Sequence, residues 1–214
     1  MKPLLVLRPE PGNSATAARA SAIGLIPVPC PLFKIEAIQW AVPDPSEFDG
    51  LLLTSANALR HGGGGLAQLA GLDVIAVGPE TADAARAAGL RVVMTGTGGI
   101  DALLDALPGQ QRLVHLAGLD HRRAASRHSV TTLAVYRAVP LDADVPAGKC
   151  VALVHSPRAG VRFALLAPHR ASISIAAISA AAARACGQGW ATLEWPAAPS
   201  DCDLLALAAR LCQD

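Results

Sequence analysis

The 214-residue sequence is poor in aromatic side chains, in charge and in lysine. It has seven aromatics, three Trp, three Phe and the single Tyr136, and charged residues make up 16% of it. The hydrophobic share of 52% excludes intrinsic disorder, because such a chain can bury enough surface to offset its conformational entropy. Lysine and arginine number 18 against 17 acidic residues, so the net charge is +1. No global field selects nucleic acid or an anionic membrane. Long apolar runs are missing too. Residues 171–183 are 13 uncharged positions ended by Arg184, short of the ~20 that a spanning helix needs. The opening MKPLLVLRPEPG has no signal-peptide core. The five cysteines have no C-x-x-C spacing and read as buried thiols. The six histidines have no ligand spacing, so no metal is expected. P-loop, G-x-G-x-x-G, G-x-S-x-G and H-E-x-x-H motifs are absent, which leaves Gly62–Gly65 as a flexible turn. A cytoplasmic protein of one large or two small domains is expected.

Short apolar runs alternate with alanine-rich helical stretches. Strands are expected at residues 4–7, 25–29, 50–53, 74–77 and 91–94, with helices at 14–23, from Ser55, to Ala88 and at 100–107. Asn13 or Ser14 is the expected cap of the first helix. A second series runs RLVHLA, LAVYRAV, CVALVHS and SISIAAI to a last helix at 201–211. The alternation implies parallel sheets covered by helices on both faces.

The chain also repeats itself. LLLTSANA (51–58) aligns with ALVHSPRA (152–159), and VGPETA (77–82) with ISAAAA (178–183), both at an offset of 101. LLVLRPEPG near the start has a weaker counterpart in RLVHLAGLD, so the order is A-B-A-B. Two Pro-containing spacers, PLFKIEAIQWAVPDPSEFD and PLDADVPAGK, suit two lobes joined by two crossings. Whether each A pairs with the next B is open at this point.

The repeated chemical device is a strand end that meets a small or hydroxyl residue and then a helix: Ser55 before Ala56 and Asn57, Ser156 before Pro157, Gly78 before Pro79 and Thr81. Such loops aim backbone N–H groups and the positive helix end at the carboxyl edge of a sheet, where open α/β folds bind ligands. Capped helices with no ligand would look the same. The basic stretch DHRRAASRH (120–128) reads as a solvated helix face, or as a guide for an anion toward Gly118. Tyr136 reads as the end of a strand beside the second spacer, where a phenol could donate a proton.

The ordered set V-L-R-P (6–9), P-L-F-K-I, L-L-T-S-A-N-A (52–58), V-G-P-E-T-A, A-G-L (117–119), V-Y-R-A (135–138) and H-S-P-R-A (155–159) resembles the uroporphyrinogen-III synthase family over nearly the whole chain. The resemblance implies two flavodoxin-like parallel-sheet α/β domains joined by a two-stranded linker, with the active-site cleft between them. One domain would be residues 1–33 with 142–214 and the other 37–138, with linkers at about 34–36 and 139–141. It implies cyclisation of hydroxymethylbilane to uroporphyrinogen III, with loss of water and inversion of ring D through a spirocyclic pyrrolenine. No cofactor is implied. Catalysis would rest on orientation of a flexible octacarboxylate.

By the same resemblance Tyr136 is the proton donor to the leaving hydroxyl. Thr54, Ser55, Asn57, Gly78, Thr81 and Gly118 would line one domain's share of the cleft, and Arg8, Ser156, Pro157, Arg158 and Ser179 the other's. A monomer in transient contact with hydroxymethylbilane synthase is expected. The chain departs from the family at its last cleft loop, usually A-I-G-x-x-T-A. Here Ser179 and Ala182 replace the glycine and threonine. A two-lobed anion-binding module and a degenerate, non-catalytic relative therefore stand as alternatives.

Overall fold

The structure, a computed structural model, describes residues 1–121 and 126–213. In chain order the elements are β1 (Leu4–Val6), α1 (Gly12–Ala22), β2 (Pro27–Pro29), β3 (Phe33–Ala37), β4 (Gly50–Leu53), α2 (Ala56–His61), β5 (Val74–Ala76), α3 (Pro79–Ala87) and β6 (Val92–Thr95). Then follow α4 (Ile100–Asp105), β7 (Arg112–Gly118), β8 (Ser129–Pro140), β9 (Cys150–Val154), α5 (Pro157–Leu166), β10 (Ile173–Ala177), α6 (Ala180–Cys186), β11 (Thr192–Glu194) and α7 (Asp201–Gln213). Contacts divide the chain into two compact units, Met1–Lys34 with Pro140–Asp214, and Ile35–Val139.

The first unit holds a sheet of order β11-β10-β9-β1-β2, parallel throughout. Its central strands β1, β9 and β10 are buried along their whole length, as strands covered on both faces must be. Leu204, Leu205, Ala208 and Leu211 of α7 and Ala20 of α1 pack on Leu4, Val6, Val151 and Leu153. Beside this sheet α5 and α6 pack closely. A Cβ on Gly160 would stand 3.0 Å from both the Ala182 carbonyl and the Cys186 sulfur.

The second unit holds the order β3-β8-β7-β4-β5-β6. The strands from β8 to β6 are parallel. Ile38 N–H donates to Val135 and Leu141 N–H to Leu32, so β3 runs against β8. One face carries Leu51, Leu53, Val74, Ala76, Val114 and Leu116 against α2 and α3. Leu52, Ile75 and Leu113 on the other face meet Leu103 and Leu104 of α4.

The mixed α/β class with parallel sheets is as expected. The repeat is present in the register itself. Leu51 pairs with Val74 and Ala152 with Ile175, then Leu53 with Ala76 and Val154 with Ala177, each 101 residues apart. The weaker pair is one residue out of the register the two segments suggest: Leu113 lies beside Gly50 and Leu4 beside Val151, so Leu4 corresponds to Leu113 and not to Arg112.

Several local expectations are corrected. Neither Asn13 nor Ser14 caps the first helix: the helix begins at Gly12, and buried Asn13 donates through Nδ2 to the carbonyls of Val6 (2.6 Å) and Arg8 (2.9 Å). The first spacer contains β3, and β11 is a three-residue strand that periodicity does not reveal. The glycine run is structured as well. Gly63–Leu69 forms a 3-10 helix, Trp40 Nε1 donates to the Gly62 carbonyl at 3.0 Å, and a Cβ on Gly65 would meet the Trp40 ring. Four thiols are buried as expected, but Cys202 is exposed. The helix expected over 120–128 falls partly on residues 122–125, outside the described residues. His128 in that stretch is buried, accepting from Gln111 N–H through Nδ1, with Nε2 2.8 Å from the Leu104 carbonyl. No helix among the described residues is long and apolar enough to cross a membrane.

Phe163 is fully buried and stacks on Trp190, with ring centroids 5.5 Å apart and planes 11° from parallel. Phe163→Ala is expected to cost about 3–5 kcal/mol in denaturant unfolding. Trp190 emission should shift in the native baseline, since the indole loses its stacked neighbour.

Candidate active site

In each sheet the strand sequence reverses direction at one point. Numbered along its own wiring, the first sheet is 2-1-3-4-5, the flavodoxin-like order, and the chain diverges between β1 and β9. In the second sheet the divergence lies between β7 and β4. Loops leaving neighbouring strands toward opposite faces open a crevice at the carboxyl ends. This places Arg8 and Ser156 at one reversal, and Thr54, Ser55 and Gly118 at the other.

In the second unit Gly118 ends β7 opposite Tyr136 of β8, across a register shift between Ala117 and Gly118. Tyr136 is not the end of its strand, since β8 continues to Pro140. The phenol ring lies on the Gly118 backbone: a Cβ there would stand 2.7 Å from Cε2 and 3.1 Å from the hydroxyl oxygen. This close approach accounts for the glycine. The His61 ring lies on Tyr136 at 6.2 Å between centroids. Ser55 caps α2 by accepting from Asn57 N–H at 3.2 Å, and Asn57 Oδ1 accepts from Arg60 Nη1 at 3.1 Å. Gly78 precedes α3 with no side-chain cap, and its Cβ position is open space. Thr81, in the first turn of α3, is buried.

Behind Thr54 stands His115. Its Nε2 lies 2.9 Å from the Thr54 hydroxyl, its Nδ1 3.3 Å from the Thr132 hydroxyl, and only 2% of the residue is exposed. Burial, with the neighbouring His121 adding to it, lowers the His115 pKa to about 4. The two rings meet edge to face at 6.0 Å, and His121 Nδ1 lies 3.1 Å from the Gly118 carbonyl.

In the first unit Asp201, at the start of α7, gathers the edge. Its Oδ1 lies 2.9 Å from His155 Nε2 and 3.6 Å from Arg8 Nη1, and its Oδ2 accepts from Arg19. Hydrogen bonds from His155 first, then from Arg19, hold its carboxyl well below the usual carboxylate range. Arg8 lies along Gly12, where a Cβ would stand 2.7 Å from the guanidinium carbon. Ser156 caps α5 through Ala159 N–H at 3.2 Å, behind Pro157 in the first turn. Arg158 lies over the Phe33 ring at 4.7 Å. Ser179 caps α6 through Ala182 N–H at 3.3 Å, so the departing loop keeps a capped helix.

Sequence reasoning missed His115, His121, Asp201, His155 and the role of Gly12. The available signal was slight: His115 is a lone polar residue in the middle of an apolar run and His155 one at the end of another. Among the described residues no cluster of His, Cys, Asp and Glu could hold a metal ion.

A family model described as uroporphyrinogen-III synthase HemD matches residues 14–204. The chain belongs to the uroporphyrinogen-III synthase family. Membership carries an enzymatic function, uroporphyrinogen-III synthesis within tetrapyrrole biosynthesis. Solved structures of the family share the fold. The uroporphyrinogen-III synthetase of Helicobacter pylori 26695 superposes with a TM-score of 0.66 at 16% identity, over 99% of this chain and 100% of that chain. A mutant uroporphyrinogen III synthase of the extremely thermophilic bacterium Thermus thermophilus gives 0.56 at 19%, over 100% and 99%. No curated protein matches the sequence.

Two substitutions probe the edge of the second unit. Gly118→Ala must push the Tyr136 ring away, and is expected to lower turnover about 10-fold while leaving the fold intact by circular dichroism. His115 is neutral in the folded chain down to about pH 4, whereas an unfolded histidine takes a proton near 6.5. Through that window the unfolded state binds more protons, so acid weakens the fold. The stability advantage of the wild type over His115→Gln is expected to shrink by up to about 3 kcal/mol between pH 7 and 4, measured by urea unfolding.

Proposed function

We propose that this chain converts hydroxymethylbilane to uroporphyrinogen III through the residues at the carboxyl edges of its two sheets, the two compact units serving as the two domains of the family. The observation that carries this reading, beside family membership, is the Tyr136 phenol seated on Gly118 at the reversal of strand order. A phenol there donates a proton or hydrogen bond to the departing hydroxyl of the terminal hydroxymethyl group, which leaves as water. The electron-rich pyrrole drives that departure. The substituted carbon of ring D attacks the methylene left by the departing water and forms the spirocyclic pyrrolenine. Its older bond to the bridging carbon of ring C then breaks. The free α carbon of ring D attacks that bridging carbon and loses its proton to the phenolate, so the ring closes with ring D inverted.

The remaining task is orientation of eight carboxylates. Backbone N–H groups at the start of α3, after the open Gly78, suit carboxylates because they are fixed and lose little entropy on binding. Thr54, Ser55, Asn57, Thr81 and Gly118 complete that edge, and Arg8, Ser156, Pro157, Arg158 and Ser179 form the other. At Ser179 the hydroxyl already occupies the Ala182 N–H, so this loop offers fewer donors than its family counterpart. The heavier share of the substrate falls to the second unit. We further propose a cytoplasmic monomer that takes the bilane by transient contact with hydroxymethylbilane synthase.

The test is incubation with freshly made hydroxymethylbilane, followed by oxidation and identification of the isomer. Uroporphyrin III is expected, and uroporphyrin I alone, the spontaneous product, would refute the reading. Tyr136→Phe is expected to lower turnover about 10- to 100-fold without abolishing it, because orientation is retained. Complete loss in a folded variant would contradict that division of labour.

A further inference from the structure

We propose that His115 is a positioning residue for Thr54, held as the Nε2–H tautomer so that the Thr54 hydroxyl turns its own proton outward to a substrate carboxylate. The proposal rests on the reading that the carboxyl edge of the second unit receives an anionic substrate.

Leu52, His115 and Thr132 are neighbours across β4, β7 and β8, and paired residues point to the same face of a sheet. Thr54 lies two residues beyond Leu52, on that face and at the edge. The surrounding layer is apolar, with Leu52, Ile75, Leu103, Leu104 and Leu113. Packing alone would put leucine at position 115. A histidine there has two ring nitrogens to satisfy, and both are satisfied by hydroxyls.

A neutral imidazole has one donor and one acceptor, so only one of the two hydroxyls can give its proton to the ring. If Thr132 donates to Nδ1, then Nε2–H donates to Thr54, whose proton is left over. Among the described residues Thr54 has no other side-chain partner to take it. The reverse tautomer spends the Thr54 proton inward and presents a lone pair to the edge, which repels a carboxylate. Only the first arrangement, in place before binding, receives an anionic ligand. The His121 ring, edge to face on His115, closes the other side of the imidazole.

Histidine 15N chemical shifts at neutral pH test the tautomer without any turnover, with His115→Gln assigning the signal. A protonated Nε2 and a bare Nδ1 are expected; an Nδ1–H tautomer overturns the proposal. Steady-state kinetics with hydroxymethylbilane test the consequence. Thr54→Val and His115→Leu are each expected to raise KM about 10-fold with kcat within about twofold, and the double variant to raise it no further. His115→Gln, whose amide can donate to Thr54, is expected to recover most of the loss. KM effects that multiply, or a loss confined to thermal stability, overturn the proposal. Uroporphyrin I from the wild type refutes the substrate reading alone, and the tautomer is then judged on the 15N spectrum.

Discussion

Everything chemical in this chain depends on the reversal of strand order in its two sheets. Parallel strands need crossovers, and right-handed crossovers send helices to one face when the chain moves one way along the sheet and to the other face when it moves back. Where the directions meet, between β1 and β9 and between β4 and β7, adjacent loops part and open a crevice at the carboxyl ends. The shared 101-residue register means both units meet this constraint with the same strands in the same places. Thr54 and His155 occupy equivalent positions, one beyond the last residue of β4 and of β9.

The two edges have diverged in what stands behind those positions. In the second unit the polar group is a buried neutral histidine between two hydroxyls, in a layer of leucines. In the first it is an aspartate that draws together His155, Arg8 and Arg19. A carboxylate beside the two guanidiniums fixes their positions but also spends part of their charge. The first edge is thus tied together by charge, and the second by hydrogen bonds between neutral groups. Capping differs at one equivalent pair of loops, since Ser55 caps α2 as Ser156 caps α5. Ser179 occupies a helix N–H group in the first unit, whereas Gly78 leaves the start of α3 uncapped by a side chain in the second.

What could be read from the sequence was what lies close together along the chain. Strand-to-helix junctions such as Leu53–Ser55 and Val154–Pro157 announce themselves by an apolar run, a serine and a helix start. The internal repeat showed two units of one pattern but left open how their halves pair along the chain. The rest depends on register across strands. Nothing in RLVHLAG says that His115 faces Thr132, seventeen residues on, or Leu52, sixty-three residues back. Asp201 meets Arg8 and His155 only because α7 returns to the β1–β9 reversal. Asn13 looks like a cap because it precedes a helical pattern, yet β1 lies close enough to claim its amide.

The scarcity of charge takes its meaning from these edges. A basic surface would draw an anionic substrate from a distance, but it would hold flexible side chains to it and lose their entropy. Donors built into the backbone, or locked by a buried ring as Thr54 is, are ordered before any ligand arrives. For a reaction whose outcome is decided by which carbon of a flexible chain attacks, that order is what selects one ring closure over another. An excess of lysine would strengthen binding in every orientation alike and leave the choice of product where the solution reaction leaves it. Net charge of +1 and three lysines are therefore consistent with a chain that recognises carboxylates by position.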